Sequence, residues 1–345
     1  MDAVTRVIEE VRAQRGLDPR TAVFDVRAER GPEGCVLLGE ATDRAAIEDL
    51  IARAAAFGTV TDRIVRLPAH ESPAEGYGLV RSAVAPLMPE PRISTAPASQ
   101  YVLGRSFDVL SRRGPWLRVR GEDGYIGWLH LGYVVLCGEE RMRAWERGTG
   151  GEPVVSLGAE LLGADGRVLC RLPWGARLIR EANGRLQLPD GRGGVLGAGE
   201  VVELERLPAR FPPHGESVVR TARRWAGTPY LWAGVTPAGA DCSGYVQSVF
   251  RLHGVALPRD SDMQAQAGAP VDPGADFAAL RPGDLLFFAE FGDRITHVAL
   301  SLGGARILHS ALSAGGVAEY DLNGGDAREV RLRDCFRCAR RVLPG

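Results

Sequence analysis

Apolar side chains recur at Val4, Val7, Ile8 and Val11, the spacing of one helix face, and predict a helix over residues 4–13. Two apolar stretches at 21–27 and 35–40 read as strands joined by the turn Arg30-Gly31-Pro32-Glu33-Gly34. Thr42-Asp43 then caps a helix through Ala45, Ile47, Leu50, Ile51 and Ala54 that stops at Gly58, and 63–67 supplies a third strand. The order α-β-β-α-β makes residues 1–72 a small α/β unit. His70-Glu71-Ser72-Pro73-Ala74-Glu75-Gly76 is turn-rich and serves as a linker.

From 77 to 137 the period shortens. Strands at 79–84, 101–103, 107–111, 116–120 and 126–130 are separated by tight turns, the layout of a small antiparallel barrel. A weaker echo follows over 141–207: the strand at Trp116, the turn Asp123-Gly124 and the closing Val134-Val135 recur as the strand at Gly184, Asp190-Gly191 and Val201-Val202. Asp-Gly pairs set up tight hairpins. The first copy keeps Trp116, Tyr125, Trp128 and Tyr133, with Trp116 expected in the barrel core and Tyr125, after a turn glycine, expected at the surface. The second retains only Trp174 and reads as a spacer.

Phe211-Pro212-Pro213-His214-Gly215 is a stiff join into a last domain over 214–345. Ser217 is expected to cap a helix through Val218, Val219, Ala222, Trp225 and Ala226. A second helix runs from about Cys242 to His253, with Val246, Val249, Phe250 and Leu252 as its buried stripe. Asp260-Ser261 can cap a short helix at 263–267. Strands follow at 285–288, around His297, around His309, at 329–332 and at 340–343. Helices first and antiparallel strands after describe an α+β domain.

Composition narrows the function classes. The 345 residues are 45% hydrophobic and 25% charged, an ordinary globular balance with chain for several cores. A formal net charge of −1 offers nothing to a nucleic acid. The N-terminus lacks a basic start followed by an apolar core, so neither a secretory signal nor a membrane anchor is expected. Six scattered cysteines read as reduced thiols and favour the cytoplasm. Cys335-Phe336-Arg337-Cys338 is the one C-x-x-C pair and, with no second pair to complete a metal site, reads as two cysteines on a closing strand; no metal or organic cofactor is expected, since Cys/His acyl transfer carries its own nucleophile and base. Oligomeric state is left open.

One cysteine has the setting of a nucleophile. Cys242 opens a helix, where unpaired N–H groups and the dipole favour a thiolate, and its neighbours Asp241, Ser243 and Gly244 are polar or small. His297 and His309, each within a short apolar strand, can supply the base and a group that steadies it. The backbone N–H of Cys242 is a natural donor to an oxyanion.

Gly227-Thr228-Pro229-Tyr230-x-Trp232-x-Gly234, Asp241-Cys242-Ser243-Gly244, Leu257-Pro258-Arg259-Asp260-Ser261, Arg281-Pro282-Gly283-Asp284-Leu285, His297-Val298 and His309-Ser310 stand in the order and approximate spacing of the NlpC-type papain-like cysteine peptidases. The resemblance covers about 216–343. Trp116, Asp123-Gly124-Tyr125 and Gly127-Trp128 resemble a bacterial SH3-like domain, and the α-β-β-α-β unit, with Gly39 before its second helix, more loosely resembles a BON-type module. The implied fold is multidomain: a small N-terminal α/β unit, two SH3-like β-barrels and a C-terminal α+β papain-like domain. Two barrels before the peptidase domain look like the branch that cleaves γ-D-glutamyl-diamino acid bonds in murein peptides with a free N-terminal L-alanine. That likeness implies Cys242 as nucleophile, His297 as base and His309 as its orienter. It also implies substrate contacts at Tyr230, Asp241, Ser243, Asp260 and Ser261, with Tyr125 and an acidic residue, nearest Glu90, closing the pocket from the first barrel. Two alternatives stay open: a non-catalytic peptide- or glycan-binding module, and an acyltransferase or amidase of the same fold.

Overall fold

The computed structural model describes residues 2–31, 34–70 and 72–344; Pro32 and Glu33 of the expected turn and Glu71 of the linker lie outside them. At the N-terminus, helix Asp2–Gln14 packs Val4, Val7, Ile8 and Val11 against helix Arg44–Ala54 and a three-stranded sheet. Strand Gly34–Ala41 is the centre of that sheet, antiparallel to Phe24–Arg30 and parallel to Thr59–Arg66. Asp43 caps the second helix by accepting from the Ala46 N–H at 2.9 Å. Gly39 has φ +126°, and a Cβ there would fall 1.9 Å from the Asp25 carbonyl oxygen, so no other residue fits.

The first barrel follows directly. Strands Tyr77–Val80, Ser106–Arg113, Trp116–Gly121, Ile126–His130 and Val134–Cys137 form one sheet, and hairpin Val84–Leu87 with Ser99–Val102 folds across it. The N-terminal unit is docked on this barrel. Val23 and Leu67 share an apolar cluster with Leu110 and Ile126, and Arg118 reaches Asp25 at 2.7 Å and Glu40 at 3.1 Å. Trp116, expected in the core, is half-buried and meets His130 edge-on at 5.2 Å.

After helix Glu139–Arg147, which hydrophobic spacing alone does not announce, strands Glu152–Leu162, Val168–Leu172, Arg177–Arg180, Leu186–Gln187 and Gly193–Glu203 form a second small barrel. It closes where the first and last of these strands pair. The spacer reading is corrected here. Trp174 meets Trp225 at 5.6 Å, and Val155, Leu157 and Val202 belong to the same buried cluster as Val218, Val219 and the Cys242 helix.

In the C-terminal domain, helices Gly215–Arg223 and Cys242–Leu252 lie against a six-stranded antiparallel sheet. Its order is Ala269–Val271, Phe336–Arg341, Leu285–Phe288, His297–Gly303, Arg306–Ala311 and Gly316–Asp321. Two local expectations fail. His214, not Ser217, caps the first helix, because the Nδ1 of the imidazole accepts from the Ser217 N–H while Ser217 itself is buried one turn inside. The strand expected at 329–332 is part of helix Ala327–Asp334: Asp326 and Glu329 form a reciprocal capping box, which outweighs the short apolar alternation.

Candidate functional site

The site is assembled at the N-terminus of helix Cys242–Leu252. Asp241 is the cap residue, its Oδ1 accepting from the Gly244 N–H at 2.7 Å. Gly244 lets the helix approach the preceding loop, since a Cβ would lie 2.2 Å from the Gly234 carbonyl oxygen. Cys242 is therefore held in the first turn, 7% exposed. Burial pushes its thiol up to about 12, and the Asp241 carboxylate adds to that; the backbone N–H groups of Val298 and Ser243 and the Arg259 guanidinium pull the other way. Val298 immediately follows His297, so the sulfur sits beside the start of the histidine strand.

His297 and His309 occupy neighbouring antiparallel strands, with Leu300 opposite Leu308. That register brings the two rings together diagonally. His297 Nε2 lies 2.8 Å from His309 Nδ1. Burial lowers the His297 pKa to about 4, partly countered by the Asp241 carboxylate, and burial followed by the neighbouring His297 holds that of His309 well below its ordinary value. The Nε2 of His309 is buried with no hydrogen-bond partner among the described residues, and the Tyr320 ring stands 4.5 Å away at 66°. The structure thus brings together Cys242, His297 and His309 from positions up to 67 residues apart in the chain.

The expected substrate contacts divide. Tyr230 is half-buried, and burial, then the charge of a Cys242 thiolate, raises its hydroxyl pKa. Tyr125 is not at the surface. It is 6% exposed and donates its hydroxyl to Asp260 Oδ2 at 3.0 Å, because the turn that precedes it faces the C-terminal domain rather than solvent. Asp260 begins the short helix Ser261–Gln264 but makes no capping bond with its side chain, and Ser261 is buried.

Asp241 and Ser243 are spoken for. Arg259, 1% exposed, donates to Asp241 Oδ1 at 3.1 Å, to Asp241 Oδ2 at 2.6 Å, to Ser243 Oγ at 2.8 Å and to Ser99 Oγ of the first barrel at 2.8 Å. Arg259 engages both oxygens of Asp241, so the carboxylate's charge is already paired within the protein. Glu90 is exposed and pairs with Arg92 at 2.7 Å, and among the described residues none of its bonds reaches the Cys242 domain. From the same loop, the Pro97 carbonyl instead accepts from Trp232 Nε1 at 3.2 Å.

Sequence reasoning passed over Arg259, although it lies inside a motif already singled out; a cation next to a proline and two polar residues at a helix start was the available signal. It also passed over Arg20, which reaches Asp260 across 240 positions of sequence with no local signal at all.

The profile of the NlpC/P60 family matches residues 227–333, and that of the bacterial dipeptidyl-peptidase Sh3 domain matches residues 87–132. The gamma-D-glutamyl-L-lysine dipeptidyl-peptidase of Bacillus subtilis (strain 168) is 42% identical over 228 residues, covering 60% of this chain and 69% of that protein. The chain belongs to the NlpC/P60 family. A second relative, the gamma-D-glutamyl-L-lysine dipeptidyl-peptidase of Bacillus cereus (strain ATCC 10987 / NRS 248), is 28% identical over 222 residues, covering 59% of this chain and 64% of that protein. The chain thus spans about two thirds of either relative's length. In fold it is similar to the crystal structure of an NlpC/P60 family protein from Bacillus cereus ATCC 10987, with a TM-score of 0.64 at 23% identity over 78% of this chain and 100% of that one.

Proposed function

We propose that the protein is a cysteine peptidase that hydrolyses the γ-D-glutamyl-diamino acid bond of murein-derived peptides with a free N-terminal L-alanine, in the recycling of wall peptides. The observation that carries this reading is the 2.8 Å bond between His297 Nε2 and His309 Nδ1 beside the helix end that bears Cys242. With the His297 Nε2–H donated to His309, the Nδ1 lone pair of His297 is left to take the thiol proton. The sulfur adds to the scissile carbonyl carbon, and the oxyanion is met by the Cys242 N–H. Collapse breaks the C–N bond, His297 returns the proton to the departing amine, and a thioester remains on Cys242. Water, deprotonated by His297, then attacks the thioester, and the thiol leaves with that proton.

Substrate class is supported by Asp260. Its carboxylate is partly open, with a side chain 27% exposed, and Tyr125 of the first barrel and Arg20 of the N-terminal unit both stand over it. A carboxylate walled on these sides suits the ammonium of a short peptide better than a continuous strand.

The test is incubation with L-Ala-γ-D-Glu-diamino acid tripeptide, free or N-acetylated, following release of L-Ala-D-Glu. Cleavage of the free peptide is expected to exceed that of the acetylated one, and Cys242→Ser is expected to lower turnover by roughly a thousandfold or more. Undiminished turnover in Cys242→Ser would remove the residue from the mechanism, and equal cleavage of both peptides would remove the amine preference.

A further inference from the structure

We propose that Arg20 is a specificity-determining positioning residue, by which the N-terminal unit holds Asp260 with one carboxylate oxygen open to the ammonium of the substrate. This rests on the functional reading above and extends the substrate site into a part of the chain that neither matched family profile covers, since the earlier of the two begins at residue 87.

Arg20 lies between the first helix and the first strand of the N-terminal unit, and its backbone is fixed against the substrate-facing turn of the barrel. The Arg20 carbonyl accepts from the N–H of Ile126, next to Tyr125, at 2.7 Å. Asp18 Oδ1 accepts from the Arg20 N–H at 2.9 Å and from Nε at 3.0 Å, setting the direction of the side chain. The guanidinium then spans three carboxylates: Nη1 donates to Asp260 Oδ2 at 2.8 Å and Asp262 Oδ1 at 2.7 Å, and Nη2 donates to Asp262 Oδ2 at 3.0 Å and Asp18 Oδ2 at 2.6 Å.

The decisive detail is which oxygen is used. Tyr125 and Arg20 both donate to Asp260 Oδ2. Among the described residues none donates to Oδ1, so that atom has acceptor capacity for a cationic ligand. Charge points the same way. Arg294 also donates to Asp262, at 3.2 Å, so Asp18, Asp260 and Asp262 face two guanidinium groups and one negative charge is left over. An ammonium completes that balance and a neutral acyl group does not. The planar fork bonds the three carboxylates from Nε, Nη1 and Nη2 in fixed directions, which the three donors of a single ammonium nitrogen do not reproduce.

Kinetics of the full-length protein on the free-amine tripeptide test this. Arg20→Met keeps the apolar stem and removes every donor; KM is expected to rise about tenfold, the scale of one lost charge-assisted hydrogen bond, with kcat within about twofold. Arg20→Lys is expected to recover part of the loss. Binding of L-Ala-γ-D-Glu to Cys242→Ala, with and without Arg20→Met, gives the same comparison without turnover, and circular dichroism reports the folded fraction of each variant. A merely structural role would lower kcat through loss of active protein and leave KM alone. That outcome, or unchanged KM and dipeptide affinity in folded Arg20→Met, overturns the proposal while the functional reading stands. A wild type that neither cleaves the tripeptide nor binds the dipeptide overturns both.

Discussion

At the scale of single residues, burial sets the protonation of the reacting groups before any substrate arrives. Cys242 is held as a thiol and His297 as a neutral imidazole, with pKa values displaced to about 12 and about 4. In the proposed mechanism the proton then crosses when the sulfur attacks, and the orientation of His297 governs that step. His309→Ala removes the acceptor for His297 Nε2, and kcat is expected to fall roughly ten- to a hundredfold with little change in KM, whereas His309→Asn, which keeps an acceptor, retains more. The same displacements tie stability to pH. In the unfolded chain the two histidines take up protons near their ordinary 6.5, but the folded state resists protonation until far lower. Stability is thus complete above about pH 6.5 and declines as the pH falls toward 4. Urea midpoints at pH 7.5 and pH 5 check this; His309→Asn is expected to flatten the slope, having one titrating ring fewer.

At the scale of elements, the helix Cys242–Leu252 is anchored at its first turn by a buried ion pair. Arg259 satisfies both oxygens of Asp241, and Asp241 in turn accepts from the Gly244 N–H, so the cap, Cys242 and Arg259 seventeen residues beyond it form one unit. Removing the cation leaves a carboxylate desolvated without a partner. Arg259→Met is expected to cost about 3–5 kcal/mol in equilibrium denaturation, and to raise the thiol pKa further because the favourable charge is gone. The rate of Cys242 alkylation against pH reads the second effect.

Across the whole molecule, the barrels are walls of the site rather than attachments to it. The first contributes Tyr125 to Asp260, Ser99 to Arg259 and the Pro97 carbonyl to Trp232. The second shares its core with the C-terminal domain through Trp174, which meets Trp225 edge-on and lies 5.0 Å below the Arg224 guanidinium. Trp174→Ala is expected to cost about 3–5 kcal/mol. If the second barrel were a loose spacer, the calorimetric transition of the C-terminal domain would not move; a downward shift of that transition is the expected result.

The chain's order of letters was enough to determine the local pieces. Apolar spacing located the Cys242 helix and its stripe, Asp43 announced a cap, and Asp-Gly pairs announced hairpins, because each of these depends on backbone conformations that neighbouring residues impose. Cys242, His297 and His309 could be nominated from their motifs. The 2.8 Å approach of His297 Nε2 to His309 Nδ1, the burial of Tyr125, the occupation of Asp241 by Arg259, the pairing of Glu90 with Arg92 and the reach of Arg20 to Asp260 were decided only in three dimensions. Periodicity reports which face of an element avoids water. It carries no information about which distant charge or hydroxyl will be folded against a given carboxylate, and in this protein those long-range partners are what separate a structural acid from one left open to a ligand.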